Sequence, residues 1–176
     1  MTLDQIMKGI QYKEPEQIKT LFNKLANIKN VGYLTKSQLI SILRIKSGRP
    51  LNHYQKNTEY NTRLTTELAF ATNNDRLKMH ILTSLYGVRY PAASTILMFY
   101  DRNRFPIIDI RAWKQLHRLE LVSTNPGGIN FRLEECEEYF KVIRGIAKEY
   151  GCTARAVEKR LYDYSILSQT EPRLYL

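Results

Sequence analysis

Apolar positions along the chain fall almost throughout at the three- and four-residue spacing of amphipathic helices. Ile18, Leu21, Phe22, Leu25 and Ile28 recur in this way behind Pro15, which suits a first-turn proline. Thr35 opens a Thr-x-x-Gln38 capping box ahead of Leu39, Ile40, Ile42 and Leu43, and Gly48 and Pro50 stop that helix. Residues 50–57 read as a polar connection. A helix is expected from Thr58 to about Thr72 with Tyr60, Leu64 and Leu68 on one face, and Asn74 caps another holding Leu77, Ile81, Leu82 and Leu85. Pro91 opens an apolar helix that runs through Tyr100. Arg104 to Ile108 is expected to be extended because of Pro106, and Asp109 then begins a helix with Trp113, Leu116 and Leu119. Beyond the loop Asn125-Pro-Gly-Gly, a long helix spans about Leu133 to Tyr150. Its first turns hold Glu134, Glu135, Glu137 and Glu138, where the helix dipole favours acids. Gly151 ends it, and Thr153 caps a last helix to about Leu167. The one strand-like run, Phe105 to Ile110, is short, so the expected fold is all-α.

The length, 176 residues, suits one helical domain or two small lobes sharing a core. A 43% hydrophobic content excludes a wholly disordered chain. The longest apolar-rich stretch, Ala92 to Tyr100, is half of what a membrane span requires, and no signal-peptide pattern opens the sequence. Cys136 and Cys152 are too few for a disulfide framework, a four-thiolate zinc site or an iron–sulfur cluster, so a reducing cytosol is the expected compartment. His53, His80 and His117 lack metal-ligand spacing, and no metal site is expected.

Charge adds a direction. The chain carries 27 basic and 17 acidic residues, net +10. Residues 1–70 hold a net +6 and residues 71–118 a net +5, whereas residues 119–176 hold −1. A basic bias over the first two thirds attracts polyanions by counterion release, and fits a generally basic protein as well.

The chemistry concentrates between Leu82 and Trp113. Leu85-Tyr86-Gly87-Val88-Arg89-Tyr90 is a glycine-containing turn between two helices. Such a turn exposes backbone N–H groups at the start of the second helix, where they suit a phosphate, with Val88 as an apolar anchor. A plain packing corner would have the same residues. The chain beyond the turn carries a more specific pattern. The hairpin through Ala93 leads into an apolar helix, then into Phe105-Pro106-Ile107-Ile108-Asp109-Ile110-Arg111, with Asp109 standing 18 residues after Pro91. This closely resembles the helix-hairpin-helix–GPD superfamily of DNA base-excision glycosylases. There a hairpin of type L-P-G-V-G-x-x-T-A precedes an apolar helix and an extended run ending in an aspartate, V-D-T-H-x-x-R. The resemblance covers residues 74–120 well. Residues 34–74 and 131–166 look more loosely like a small bacterial subgroup, some of whose members are associated with defence against phages carrying modified bases.

The resemblance implies a helix-hairpin-helix bundle that binds double-stranded DNA as a monomer, flips a base and breaks its glycosidic bond. Asp109 would be the catalytic carboxylate, beside the sugar whose transition state carries positive charge. Gly87, Val88, Arg89, Tyr90 and Ala92 would clamp phosphate, with a monovalent cation at the hairpin as the one additional ligand and no organic cofactor. Two departures matter. Arg89 stands where the family has a second glycine, which either alters the hairpin or makes Arg89 a phosphate ligand. Pro91 stands where lyase-type members have lysine, which implies a monofunctional enzyme because a Schiff base needs that amine. The cysteine loop of the cluster-bearing branch is missing. Lys46, Arg49 and Asn57 are pocket candidates on the subgroup resemblance, against a solvated helix end and loop. Trp113 lines the pocket or the core. Arg111 and Lys114 contact DNA or make surface ion pairs. A non-catalytic DNA-binding module and a helical protein-interaction domain are the competing readings.

Overall fold

The computed structural model describes residues 2–168 and contains eleven helices and no strand among them. The chain is all-α among these residues. It divides into two compact units, one formed by the segment up to Lys13 together with the chain from Arg102 onward, the other by Glu14–Asp101.

The Glu14–Asp101 unit holds α2 (Glu16–Lys24), α3 (Ile28–Val31), α4 (Lys36–Lys46), α5 (Leu51–Tyr54), α6 (Glu59–Ala71), α7 (Asp75–Leu82) and α8 (Tyr90–Tyr100). The expected capping box at Thr35 forms, with Gln38 N–H donating to the threonine hydroxyl at 3.2 Å and the Gln38 carbonyl accepting from Thr35 N–H at 2.9 Å. Asn74 caps α7 through Leu77 N–H at 2.9 Å. Helix α8 is apolar on all sides because it is buried on all sides, from Ala92 to Phe99. It packs against α4 and α7.

Three expectations in this unit are corrected. Residues 50–57 are not merely a connection, since α5 turns Tyr54 into the core. The Tyr60–Leu64–Leu68 face of α6 points outward, and the helix buries Thr62, Thr66, Ala69 and Phe70 instead. The threonine hydroxyls donate to the carbonyls four residues back, Thr58 and Thr62, each at 2.8 Å, which removes the penalty of burying them. Leu34 N–H also donates to Thr66 Oγ1, at 2.9 Å. On α7 the expected order is likewise inverted. Leu77 is exposed while Lys78 is buried, its ammonium donating to the C-terminal carbonyls of α6 at Ala69 (2.9 Å) and Phe70 (3.0 Å). Lysine at a helix C-terminus satisfies orphan carbonyls and meets the negative dipole end.

The other unit begins with α1 (Leu3–Gly9), started by a Thr2–Gln5 capping box that the periodicity does not announce. It continues from a turn, 102–104, which takes in Arg104 against the expectation, through an extended segment, 105–108, into α9 (Ile110–Arg118), α10 (Leu133–Glu149) and α11 (Ala154–Leu167). Helix α11 packs on α1, α9 and α10. Gly151, at φ 60°, ends the turn after α10, and Thr153 caps α11 by accepting from Ala156 N–H at 3.0 Å. The extended segment inserts Phe105, Ile107 and Ile108 into the core. Its backbone is held by Tyr139, which donates to Ile107 O at 3.0 Å, and the turn before it by the first turn of α11. There Ala154 and Arg155 N–H groups donate to Asn103 O (3.2 Å) and Arg102 O (3.1 Å).

Candidate nucleic-acid and catalytic sites

In the Glu14–Asp101 unit the turn from α7 to α8 is built around Gly87. Its φ of 79° is the left-handed backbone that glycine adopts without strain. Val88 is buried and closes the turn by donating its N–H to Leu85 O at 3.1 Å. Arg89 takes extended backbone, φ −105° and ψ 175°, and serves as N-cap of α8. The second position therefore needs no glycine, and arginine fits without strain. Pro91 stands in the first turn of α8, where a missing N–H costs nothing. By helix geometry the first-turn N–H groups of Tyr90 and Ala92 have no partner four residues back and mark the positive end of the helix dipole. Ala92 is itself buried, so only its backbone is offered.

Asn57 corrects the sequence-based assignment. It is 1% exposed and clamps the hairpin. Its Oδ1 accepts from Tyr86 N–H at 2.8 Å, and its amide nitrogen donates to Tyr86 O at 3.1 Å and Tyr54 O at 3.0 Å. With both ends of the amide engaged, it holds the hairpin's shape rather than facing a substrate. Lys46 is the half-buried last residue of α4, and Arg49 lies exposed in the turn before α5. Below the hairpin, a Cβ on Gly87 would come within 2.9 Å of Tyr54 Cδ1 and 3.0 Å of His53 Cβ. Gly87→Ala is expected to cost about 2–3 kcal/mol, from left-handed backbone and overpacking together, as a drop in the urea unfolding midpoint.

In the other unit Asp109 is the N-cap of α9. Its Oδ1 accepts from Arg111 N–H at 2.9 Å, so the carboxylate is half-buried and oriented at the helix start. Helix α11 packs against α9 and carries Tyr162. Burial pushes the Tyr162 phenol up, the Asp109 charge adds to the shift, and Arg111 opposes it. Tyr139 is pushed well above its ordinary value, first by its burial, then by the charges of Glu158 and Asp109. Asp109, Arg111, Tyr139, Tyr162 and Glu158 thus form one electrostatic neighbourhood that the sequence alone does not assemble. Of the two readings of Trp113, pocket or core, the structure shows the core. It is 0% exposed, donates its indole N–H to Asn125 O at 2.8 Å, and packs edge-on against Phe131 and tilted against Tyr139. It is core. Arg111 and Lys114 stand half-buried along α9.

Burial and the surrounding Glu135, Glu134 and Glu137 push the Cys136 thiol up to about 12, which leaves it protonated and unreactive at neutral pH. No group of three or more His, Cys, Asp or Glu among the described residues could hold a metal ion. No helix among them is long and apolar enough to cross a membrane. No family model, no curated protein and no solved structure matches the chain.

Proposed function

We propose that the chain is a monofunctional DNA glycosylase of helix-hairpin-helix type, which hydrolyses the N-glycosidic bond of a modified or damaged base, a phage-modified one included, in double-stranded DNA. The observation that carries this reading is Asp109 itself, a carboxylate locked at a helix start by Arg111 N–H and reached through a hairpin, an apolar helix and an extended run. The hairpin supports it with a left-handed glycine, a buried valine anchor and an arginine at the N-cap of α8, where a phosphate would meet backbone donors and a cation together.

In the reaction the C1′–N bond breaks and its electron pair leaves with the base, which takes up a proton. The sugar ring becomes an oxocarbenium-like cation facing Asp109. A water oxygen bonds to C1′ and gives one proton to the carboxylate, which passes it on through solvent to the departed base and is restored. The products are the free base and an abasic sugar. Pro91 has no amine to attack that sugar, so the strand stays intact until alkali cleaves it.

The test is a mass-spectrometric screen for free bases released by the purified protein from differently modified bacterial and phage genomic DNAs, with alkaline strand breakage as the second readout. Release of one base type is the expected result. Tight, salt-sensitive DNA binding with no base released from any of them would instead select the non-catalytic binding module, to which Arg89 at the hairpin also lends itself. Absence of DNA binding at low salt would favour a protein-interaction domain.

A further inference from the structure

The loop between α9 and α10 is tightly constrained. Glu120, Asn125 and Asn130 take left-handed backbone at φ 58°, 47° and 51°, as does Gly128 at 63°. Asparagine adopts this backbone readily and glutamate rarely, so the loop's order rests on the contacts its residues make. Asn125 is the organiser. Its side chain accepts from Gly128 N–H at 3.1 Å and donates to Ile129 O at 2.9 Å and to Glu135 Oε2 at 3.1 Å. Its own carbonyl takes the Trp113 indole N–H at 2.8 Å. Glu135, buried at the start of α10, also takes the Arg132 N–H at 2.8 Å. Gly128 lies flat on α9, where a Cβ would come within 3.0 Å of Trp113 Cδ1 and 3.2 Å of Ile110 Cγ1. The loop is therefore fastened to the first turn of α9, one residue beyond Asp109.

In this stiff loop stands Ile129, 59% exposed. Along α9, Arg111, Lys114 and Arg118 fall at i, i+3 and i+7, away from the buried Ala112, Trp113 and Leu116. At 100° per residue, Ile110, on which the loop rests, flanks that cationic stripe. The loop thus holds an apolar side chain out to solvent beside a surface suited to phosphates. Proteins that extrude a base insert such a side chain into the gap left in the stack. A loop already ordered delivers it without losing conformational entropy on binding.

We infer that Ile129 is the wedge that enters the DNA base stack and fills the space left by the extruded nucleotide. The inference rests on the glycosylase reading of Asp109. Its test uses the full chain and a duplex carrying 2-aminopurine beside a tetrahydrofuran abasic analogue, with an unmodified duplex as control. Saturating wild-type protein is expected to raise 2-aminopurine emission several-fold. Ile129→Ala is expected to bind the unmodified duplex as wild type does and to leave emission at the level of free DNA, with Ile129→Leu restoring the rise. Asp109→Asn is expected to keep it, because unstacking precedes chemistry. An undiminished rise with Ile129→Ala, or no rise with bound wild type, overturns the wedge and leaves Asp109 to be judged by base release. Failure of the wild type to bind either duplex overturns both readings.

Discussion

Asp109→Asn is expected to slow base release about 10²–10⁴-fold while leaving stability within roughly 0.5 kcal/mol of wild type. The two halves of this result come from two roles of one side chain. As N-cap, Asp109 needs only an oxygen that accepts from Arg111 N–H, now at 2.9 Å. Asparagine supplies the same oxygen in the same place and ranks with aspartate as a cap. As catalyst, it needs a negative charge facing the developing cation and a basic oxygen for the proton of the attacking water, and an amide has neither. Asp109→Ala separates the roles further, since it loses the cap as well and is expected to cost about 1 kcal/mol in addition to the rate. The measurement is single-turnover release of whichever base the wild type excises, with thermal unfolding of both variants alongside. Equal rates for Asp109→Asn and wild type would remove Asp109 from the chemistry and leave it a cap.

Much of the fold is legible in sequence because caps are local. Thr35, Asn74, Asp109 and Thr153 each satisfy an N–H two or three residues away, so their signal lies within one turn of chain. The hairpin and Asp109 are visible for a similar reason, as a fixed spacing along a continuous stretch. Faces and partners are less visible. The buried side of α6 is written in threonines, which read as polar until their hydroxyls are seen bonded to the preceding turn. Lys78 reads as a solvated lysine because the carbonyls that hold it, at Ala69 and Phe70, belong to the end of another helix. Asn57 is joined to Tyr86 across 29 residues, and no local pattern records that clamp. The Ile129 loop is signalled only by Asn125-Pro-Gly-Gly, which marks a turn and says nothing of its rigidity. Its stiffness comes from Glu135 and Trp113, two residues that have other reasons to be where they are.

The second large effect concerns the support behind Asp109. Arg155 and Glu158 form an ion pair within the first turns of α11, with side chains only 5% and 2% exposed. Desolvating two charges offsets most of their attraction, so the intact pair contributes little net stability, but removing one partner takes a close counter-charge from the other, which stays buried. Glu158→Ala is therefore expected to destabilise by about 3–5 kcal/mol, a fall in Tm of about 6–20 °C for a chain of this size. Replacing both, as Arg155→Met with Glu158→Leu, is expected to recover most of that loss or to exceed wild-type stability. The single and double variants form a cycle read by thermal and urea unfolding. The same cycle bears on the site, because Arg155 N–H holds Arg102 O in the turn before the extended segment that leads to Asp109. The backbone bond survives a change of side chain, so the double variant should keep both the segment and the activity. The Glu158→Ala variant, with the buried Arg155 guanidinium deprived of Glu158 beside that bond, should lose activity along with stability. If the double variant were as unstable as Glu158→Ala, the pair would be a net source of stability, and a missing counter-charge beside Arg155 could not explain either loss.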